Sequence, residues 1–419
     1  MTLPNGPTGA SRTRGTRRPT VTVLTTDWTS ATEERWITRQ VAGALACVGD
    51  VHVITIEGQR AGVSSDGVFT VHRLATQPKR KAALRSELLL RALGSSSSSR
   101  ATAPAISSLI DRDLIKPWLS AAGVLGDIAP DLVVIAGHRT AGALAALDRS
   151  GVDVPIVLIA LGSDPGTVNL SHFDPLFARA QSVLTVTRAE TSTILEQHGS
   201  TTTVHDGKMH LIGAPLAANP SALNEPNTWV GDTDYLLVLA DVNEHGGGDP
   251  AELAHLLRIR FPDQVVGIAY SSGFCAWHEG RASRGWAIER SSDVDRLMAW
   301  AHVTIDLRPG RLFAQRCVTS LLYGTPIVVP ADSRAHEHAE HGRGGLWFTN
   351  PAELTWCVEA ILDHRTRETF GAQGQAYAAE EFGSTDRFID RVVAACGLVP
   401  ESAPGPSGPT AADTDAVAH

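Results

Sequence analysis

The stretch that decides the fold is Ser320-Leu-Leu-Tyr-Gly-Thr-Pro-Ile-Val-Val-Pro330. An apolar helix stops at Gly324, and a short strand pattern, Pro326 to Pro330, begins at once. Glycine ends helices because it enters the left-handed region without a Cβ penalty, and a proline just beyond cannot prolong the helix. Upstream, Ala314, Cys317, Val318, Leu321 and Leu322 recur at i, i+3, i+4, i+7 and i+8, the stripe of one buried helix face. A helix feeding directly into an all-apolar strand is what a parallel sheet covered on both faces requires.

The same alternation extends in both directions. "TVTVLTT" (20–26), "VHVITI" (51–56), "VFTVHRL" (68–74), "DLVVIAG" (131–137), "PIVLIALG" (155–162) and "SVLTVT" (182–187) read as strands. Ser30 with Glu33 forms a capping box ahead of Ile37, Val41, Leu45 and Val48 at helical spacing. A Pro- and Asn-rich stretch, residues 216–234, interrupts the pattern, which restarts with "YLLVLA" (235–240), "QVVGIAY" (264–270), "GWAIER" (285–290), "HVTIDL" (302–307) and "GLWF" (345–348). Helical patterns at 351–363, 366–382 and 384–396 close it. The expectation is an α/β fold of two doubly wound, Rossmann-like domains, residues 20–215 and 235–382, with linker 216–234, a cleft between them and a crossover helix at 383–396. Residues 1–19, a basic arm, and 397–419 are too poor in apolar side chains to offset ordering entropy and are expected to be disordered.

Composition narrows the function. The chain has 419 residues, 43% hydrophobic and 19% charged, with net charge −9, which argues against a general nucleic-acid binder. Cys47, Cys275, Cys317, Cys357 and Cys396 are scattered and odd in number, so neither a disulfide framework nor a zinc motif is expected, and a cytoplasmic setting fits. The longest apolar run, Val152 to Gly162, is interrupted by Asp153 and Pro155 and falls short of the ~20 residues that a bilayer requires. Arg17-Arg18 is followed by only a strand's length of apolar sequence before Asp27, which does not make a twin-arginine export signal. Walker and GxGxxG motifs are absent, leaving kinase and dehydrogenase readings without residues. "HEHAEH" (336–341) has no zinc-site spacing, so no metal is expected.

With these elements placed, the second half resembles the C-terminal domain of retaining GT-B glycosyltransferases of family 4. That family has a helix ending "EAMACGTPVV", then a loop glutamate, "GxTGLL" and another helix. Here "TSLLYGTPIVV" is followed by Glu337, "GRGGLWF" and "PAELTWCVEAIL". "AAEEFGSTDRFIDRVVAAC" resembles the family's closing helix, and "SATEERWITRQVAGAL" resembles "GGAERxxxxLAxAL" at Glu34 and Arg35. The resemblance implies a nucleotide sugar as substrate rather than any cofactor, and a glycan or lipid-linked acceptor. Such a site stabilises a diphosphate leaving group with cations and helix N-termini.

The family's own catalytic residues are replaced here. Its Arg/Lys clamp falls on Asp241 and on His245 or Gly246, its E-x7-E pair on Arg311 and Thr319, and its histidine near Leu161. The resemblance therefore implies rebuilt roles, with Arg311 and Thr319 at the catalytic positions. The donor side would take Arg308, Phe313, Glu337 and the loop Gly246, Gly247, Gly248, which reads either as a phosphate cradle or as a plain turn before a capped helix. The acceptor side would take Glu34, Arg35, His138, Ser163 and Asp164. Residues 78–94 combine Lys79, Arg80, Lys81, Arg85 and Arg91 with Leu84, Leu88 and Leu89, a pattern that suits peripheral contact with an anionic membrane or a solvated helix. The alternative function is a non-catalytic GT-B protein that binds a sugar, a lipid or a partner enzyme.

Overall fold

The computed structural model describes residues 17–26, 28–29, 33–56, 61–75, 117–137, 142–160, 174–198, 206–224, 235–240, 250–269, 273–278, 281–287, 291–308 and 314–398. The apolar runs become strands because a side chain on each face finds a helix layer to bury against. The first sheet holds β1 (Thr20–Thr25), β2 (Asp50–Thr55), β3 (Gly62–Asp66), β4 (Phe69–Arg73), β5 (Leu132–Ala136), β6 (Ile156–Ile159), β7 (Ser182–Thr185) and β8 (Met209–Leu211). Their order is β3-β4-β2-β1-β5-β6-β7-β8. The second sheet holds β9 (Tyr235–Leu239), β10 (Val265–Ala269), β11 (Gly273–His278), β12 (Arg281–Ala287), β13 (Val303–Asp306), β14 (Ile327–Pro330) and β15 (Gly345–Phe348) in the order β12-β11-β10-β9-β13-β14-β15. The two-sheet α/β architecture expected from the sequence is thus observed.

The helices, in chain order, are α1 (Glu33–Ala46), α2 (117–128), α3 (Gly142–Ser150), α4 (Asp174–Arg179), α5 (Arg188–His198), α6 (Pro220–Asn224), α7 (Pro250–Arg260), α8 (Ser291–Trp300), α9 (Gln315–Leu322), α10 (His336–Glu340), α11 (Pro351–Leu362), α12 (His364–Glu381) and α13 (Thr385–Ala395). Alternate residues of β1 serve opposite layers. Val21 and Val23 pack with Ile37, Val41 and Leu45 of α1 and with Phe388 and Val392 of α13, whereas Leu24 belongs with Trp118, Leu125 and Leu144 on the other face. Helix α13 therefore packs against the first sheet, as a crossover helix does. Among the described residues no helix is long and apolar enough to cross a membrane.

The sequence reading needs three corrections. The sheets are not wholly parallel, because β3 runs antiparallel to β4 and β11 antiparallel to both β10 and β12. The β3–β4 hairpin turns at Gly67 with φ +62°, a conformation glycine adopts without strain. The strand expected at 285–290 instead spans Arg281–Ala287, and a short helix, α6, forms inside the expected linker. "HEHAEH" forms helix α10, with Glu337 and His338 buried. The Ser30–Glu33 capping box, segment 78–94 and most of the two terminal segments lie outside the described residues or side chains.

The opening stretch behaves as its residues dictate. Cys317, Val318 and Leu321 of α9 are fully buried, and Gly324 takes φ +78° at the helix end. Helix α12 lies directly across this corner. A Cβ on Gly371 would run into the Gly324 carbonyl oxygen, and one on Gly374 would meet the Gly344 Cα at 2.9 Å. Gln375 Nε2 donates to the Leu322 carbonyl at 3.1 Å, satisfying an orphan carbonyl at the end of α9.

One histidine pair makes the fold's stability pH-dependent. His52 Nδ1 and His72 Nε2 lie 3.2 Å apart on the neighbouring strands β2 and β4. Burial, and then the charge of His52, push His72 below the ordinary histidine value. The unfolded chain then binds the proton more readily, so this stability is present above about pH 6.5 and is lost as pH falls through the folded value. The urea midpoint is expected to drop between pH 7.5 and 5.5, and His72→Gln is expected to lose less over the same interval. An equal loss in the variant contradicts this assignment.

Candidate functional site

Strand β13 ends at the corner with its last residue, Asp306, buried. Asp306 Oδ1 accepts from the Arg308 backbone N–H at 3.1 Å and from Arg308 Nε at 2.7 Å, while Arg308 Nη2 donates to Oδ2. The Cys317 thiol, on the first turn of α9, donates to the same Oδ2 at 3.1 Å. Burial pushes the Asp306 carboxyl up, but the Arg308 charge and the hydrogen bonds from Arg308 and Cys317 outweigh it and hold the group below the usual carboxylate range. A carboxylate at the start of a helix also faces the positive end of its dipole. Just before α9, Ala314 takes φ +52°, a left-handed conformation uncommon for a residue with a Cβ.

Thr319 sits one turn into α9, 8% exposed, and its hydroxyl donates back to the Gln315 carbonyl at 2.9 Å. Such back-bonding is how a threonine settles in a helix interior. Next to it, Ser320 Oγ bonds Thr304 Oγ1 at 2.8 Å and the Thr325 carbonyl at 3.2 Å, tying α9 to β13. Tyr323 accepts through its hydroxyl from the Asn219 N–H at 2.9 Å, which ties the corner to the stretch that joins the two sheets.

Glu337 is placed at the joint between the sheets. Its Oε1 accepts from the Arg188 N–H at 2.9 Å and its Oε2 from the Ala189 N–H at 2.8 Å. These are the first two orphan donors of α5, which follows β7 of the other sheet. The third, Glu190 N–H, goes to Thr187 Oγ1 at 3.1 Å, and Thr191 N–H makes the helix's own first bond, to the Thr187 carbonyl at 3.2 Å. Every donor of that first turn is accounted for, two of them by a residue about 150 positions away. Expected on the donor side, Glu337 thus has both oxygens committed to this cap.

Other contacts strengthen the joint. Arg188 Nη2 and Glu381 Oε1 lie 3.4 Å apart, and Glu381 Oε2 takes both Nη atoms of Arg391 at 3.2 Å. The Leu216 N–H donates to the Phe382 carbonyl at 2.8 Å. Tyr377 lies 3.1 Å from His338 Nδ1, and burial, with the nearby Glu337 and Glu381 charges, pushes its hydroxyl upward. An open groove lined by Leu216, Ala218, Leu322, Gln375, Ala376 and Gly383 lies at the C-terminal end of α9, away from Asp306 and Arg308 at its start.

On the opposite side, Glu34 and Arg35 lie in the first turns of α1, after β1. Arg35 Nη1 donates to the Thr29 carbonyl at 2.9 Å, and the Glu34 carbonyl accepts from Thr38 Oγ1 at 2.8 Å. Nearby, Arg39 covers the ring of buried Trp28 and pairs with Asp66 at 2.7 Å, while Trp28 Nε1 donates to Asp66 at 2.9 Å. Arg311, Phe313, Gly246, Gly247, Gly248, His138, Ser163 and Asp164 lie outside the described residues. The structure brings Arg308 and Thr319 to one corner and Glu337 to the joint. Sequence reading missed Asp306 and Cys317, although an acid closing "HVTID" two residues before an arginine was a visible signal. Among the described residues no group of His, Cys, Asp and Glu is placed to hold a metal ion.

No family model matches the chain, and no curated protein matches it by sequence. Solved structures do match. A UDP-forming α,α-trehalose-phosphate synthase from Burkholderia vietnamiensis is 12% identical with TM-score 0.61, covering 90% of this chain and 99% of that one. Sucrose-phosphate synthase from Thermosynechococcus elongatus is 12% identical with TM-score 0.57, covering 89% and 97%. HepE from Anabaena, in complex with UDP and glucose, is 13% identical with TM-score 0.58, covering 90% and 99%. The likeness runs over nearly the whole of each chain and shows a GT-B fold.

Glu337→Gln leaves one amide of α5 facing an NH2 group. It is expected to lower stability by about 1–3 kcal/mol, the cost of an unsatisfied donor. Chemical denaturation measures this, with Glu340→Gln as an exposed control on the same helix. Equal midpoints for the two variants contradict the cap.

Proposed function

We propose that this chain is a divergent glycosyltransferase of the retaining, family 4-like kind, transferring a sugar from a nucleotide-sugar donor to a glycan or lipid-linked acceptor. The observation that carries the reading is a guanidinium held at the carboxyl end of β13 in a GT-B fold that spans nearly the full length of its structural neighbours. In open α/β sheets ligands bind at that end of the strands, and a fixed cation there suits the charge that grows on a departing diphosphate. One neighbour, HepE, was solved both with UDP-glucose and with UDP and glucose, which fits this donor class. In this reading Arg311 and Thr319 stand where the reaction occurs, Arg308 with Phe313 and Gly246–Gly248 serve the donor, and Glu34, Arg35, His138, Ser163 and Asp164 serve the acceptor. Residues 78–94 supply peripheral contact when the acceptor is lipid-linked.

A specific observation favours a second reading, a non-catalytic sugar- or partner-binding GT-B protein. The Thr319 hydroxyl and the Glu337 carboxylate are both engaged within the fold. Turnover separates the two readings. Wild-type protein is expected to consume one of a panel of UDP-, GDP- and ADP-sugars when supplied with glycan or lipid-linked acceptors. Arg311→Ala is expected to lower kcat by about a hundredfold, in line with removal of one transition-state donor. Binding without turnover supports the second reading, and binding of no nucleotide sugar at all contradicts the first.

A further inference from the structure

We infer that Asp306 is a positioning residue, which through its grip on Arg308 sets how this site holds the diphosphate of its donor. The inference rests on the nucleotide-sugar reading and adds a residue to it. Asp306 ends β13, which lies between β9 and β14 in the sheet, and its side chain is 4% exposed. It receives three hydrogen bonds from one residue, the N–H, Nε and Nη2 of Arg308, and a fourth from the Cys317 thiol. A guanidinium is planar, so a carboxylate gripping its Nε–Nη2 edge fixes the plane and turns the Nη1 edge the opposite way. The Arg308 side chain is 14% exposed and leaves the strand at its carboxyl end, the end where ligands of open α/β sheets lie.

Two features argue that this arrangement serves orientation rather than stability alone. A buried ion pair gains little over apolar residues of the same volume, because desolvation offsets the attraction. The carboxylate is also pinned from a second element, since the Cys317 thiol lies on α9, and a rotation of Asp306 would break bonds to both β13's exit and the helix. A diphosphate presents paired oxygens to a planar fork, which a fixed guanidinium meets bidentately and a wandering one does not.

The charge of Asp306 makes the test discriminating. As a mere neighbour, an anion beside Arg308 weakens the attraction for phosphate, so Asp306→Asn would tighten binding. As a positioner it preorganises the fork, so the same change loosens binding. The experiment titrates the full chain with UDP, GDP, ADP and inorganic pyrophosphate by calorimetry, for wild type, Asp306→Asn, Arg308→Lys and Cys317→Val, with circular dichroism as the check of folding. Asp306→Asn and Arg308→Lys are each expected to weaken phosphate binding about tenfold or more, the equivalent of one charge-assisted hydrogen bond. Cys317→Val is expected to weaken it by a smaller factor. Pyrophosphate should follow the same order as the nucleotide, because the effect is on the phosphates.

If Asp306→Asn binds as tightly as wild type or more so, the positioning role is overturned and the nucleotide reading stands. If wild type binds pyrophosphate through Arg308 and Asp306 but binds none of the three nucleotides, the positioning role stands and the nucleotide reading falls. Binding of none of the four overturns both. If Asp306→Asn does not fold, Arg308→Lys and Cys317→Val decide, and unchanged affinity in both overturns the proposal.

Discussion

The carboxylate of Glu337 closes the first turn of α5, a helix that belongs to the other sheet. A helix N-terminus leaves its first N–H groups without partners, and a charge placed there gains from both the hydrogen bonds and the dipole. Here the Thr187 hydroxyl serves the third donor and the helix's own bonding begins at Thr191, so the first two depend on a residue from beyond the joint. The relation between the two sheets is therefore written into the capping of a single turn. Arg188, at that same turn, extends the link through Glu381 to Arg391 on α13, the helix that packs back on the first sheet. Whatever lies between the sheets is shaped by these contacts.

The corner around α9 is the other fixed point, and it works by close approach. Gly344, Gly371 and Gly374 let α12 lie so near that a methyl group at any of these positions would collide with backbone. Hydroxyls of Ser320 and Thr325 then bind α9 to β13 and to the end of α8 without leaving their polar atoms unmatched. The result holds β13's exit in place, and that exit carries Asp306 and Arg308. A scaffold this restrained keeps its shape while the residues at its functional positions change, which is why fold and activity have to be argued separately.

How much of this could be read from the sequence depended on how local the cause was. The strand that follows Gly324 and the stripe through Cys317, Val318, Leu321 and Leu322 were legible, because burial on two faces leaves a continuous apolar signature. Strand β3, "GVSSD", has no such signature, since it is an exposed edge whose pairing comes from the hairpin at Gly67. The antiparallel β11 likewise owes its place to its neighbours, whereas β12 was legible in part, as a strand expected at 285–290. Glu337 was recognised as important for a position in a motif, yet its partners lie in a different sheet and no local spacing points to them. Asp306 left a signal that is easily passed over, as one acid at the end of an apolar strand also reads as an ordinary boundary. Only the fork from Arg308 and the thiol of Cys317 reveal what it holds.

The central claim is that a nucleotide diphosphate is held where β13 ends and α9 begins. The most direct measurement is a crystal structure of the full chain soaked with UDP-glucose. The account predicts the diphosphate at that corner, within hydrogen-bonding distance of the Arg308 guanidinium, with Asp306 still gripping its other edge. A nucleotide bound at the first sheet instead, or a corner left without it at saturating concentration, would contradict the account.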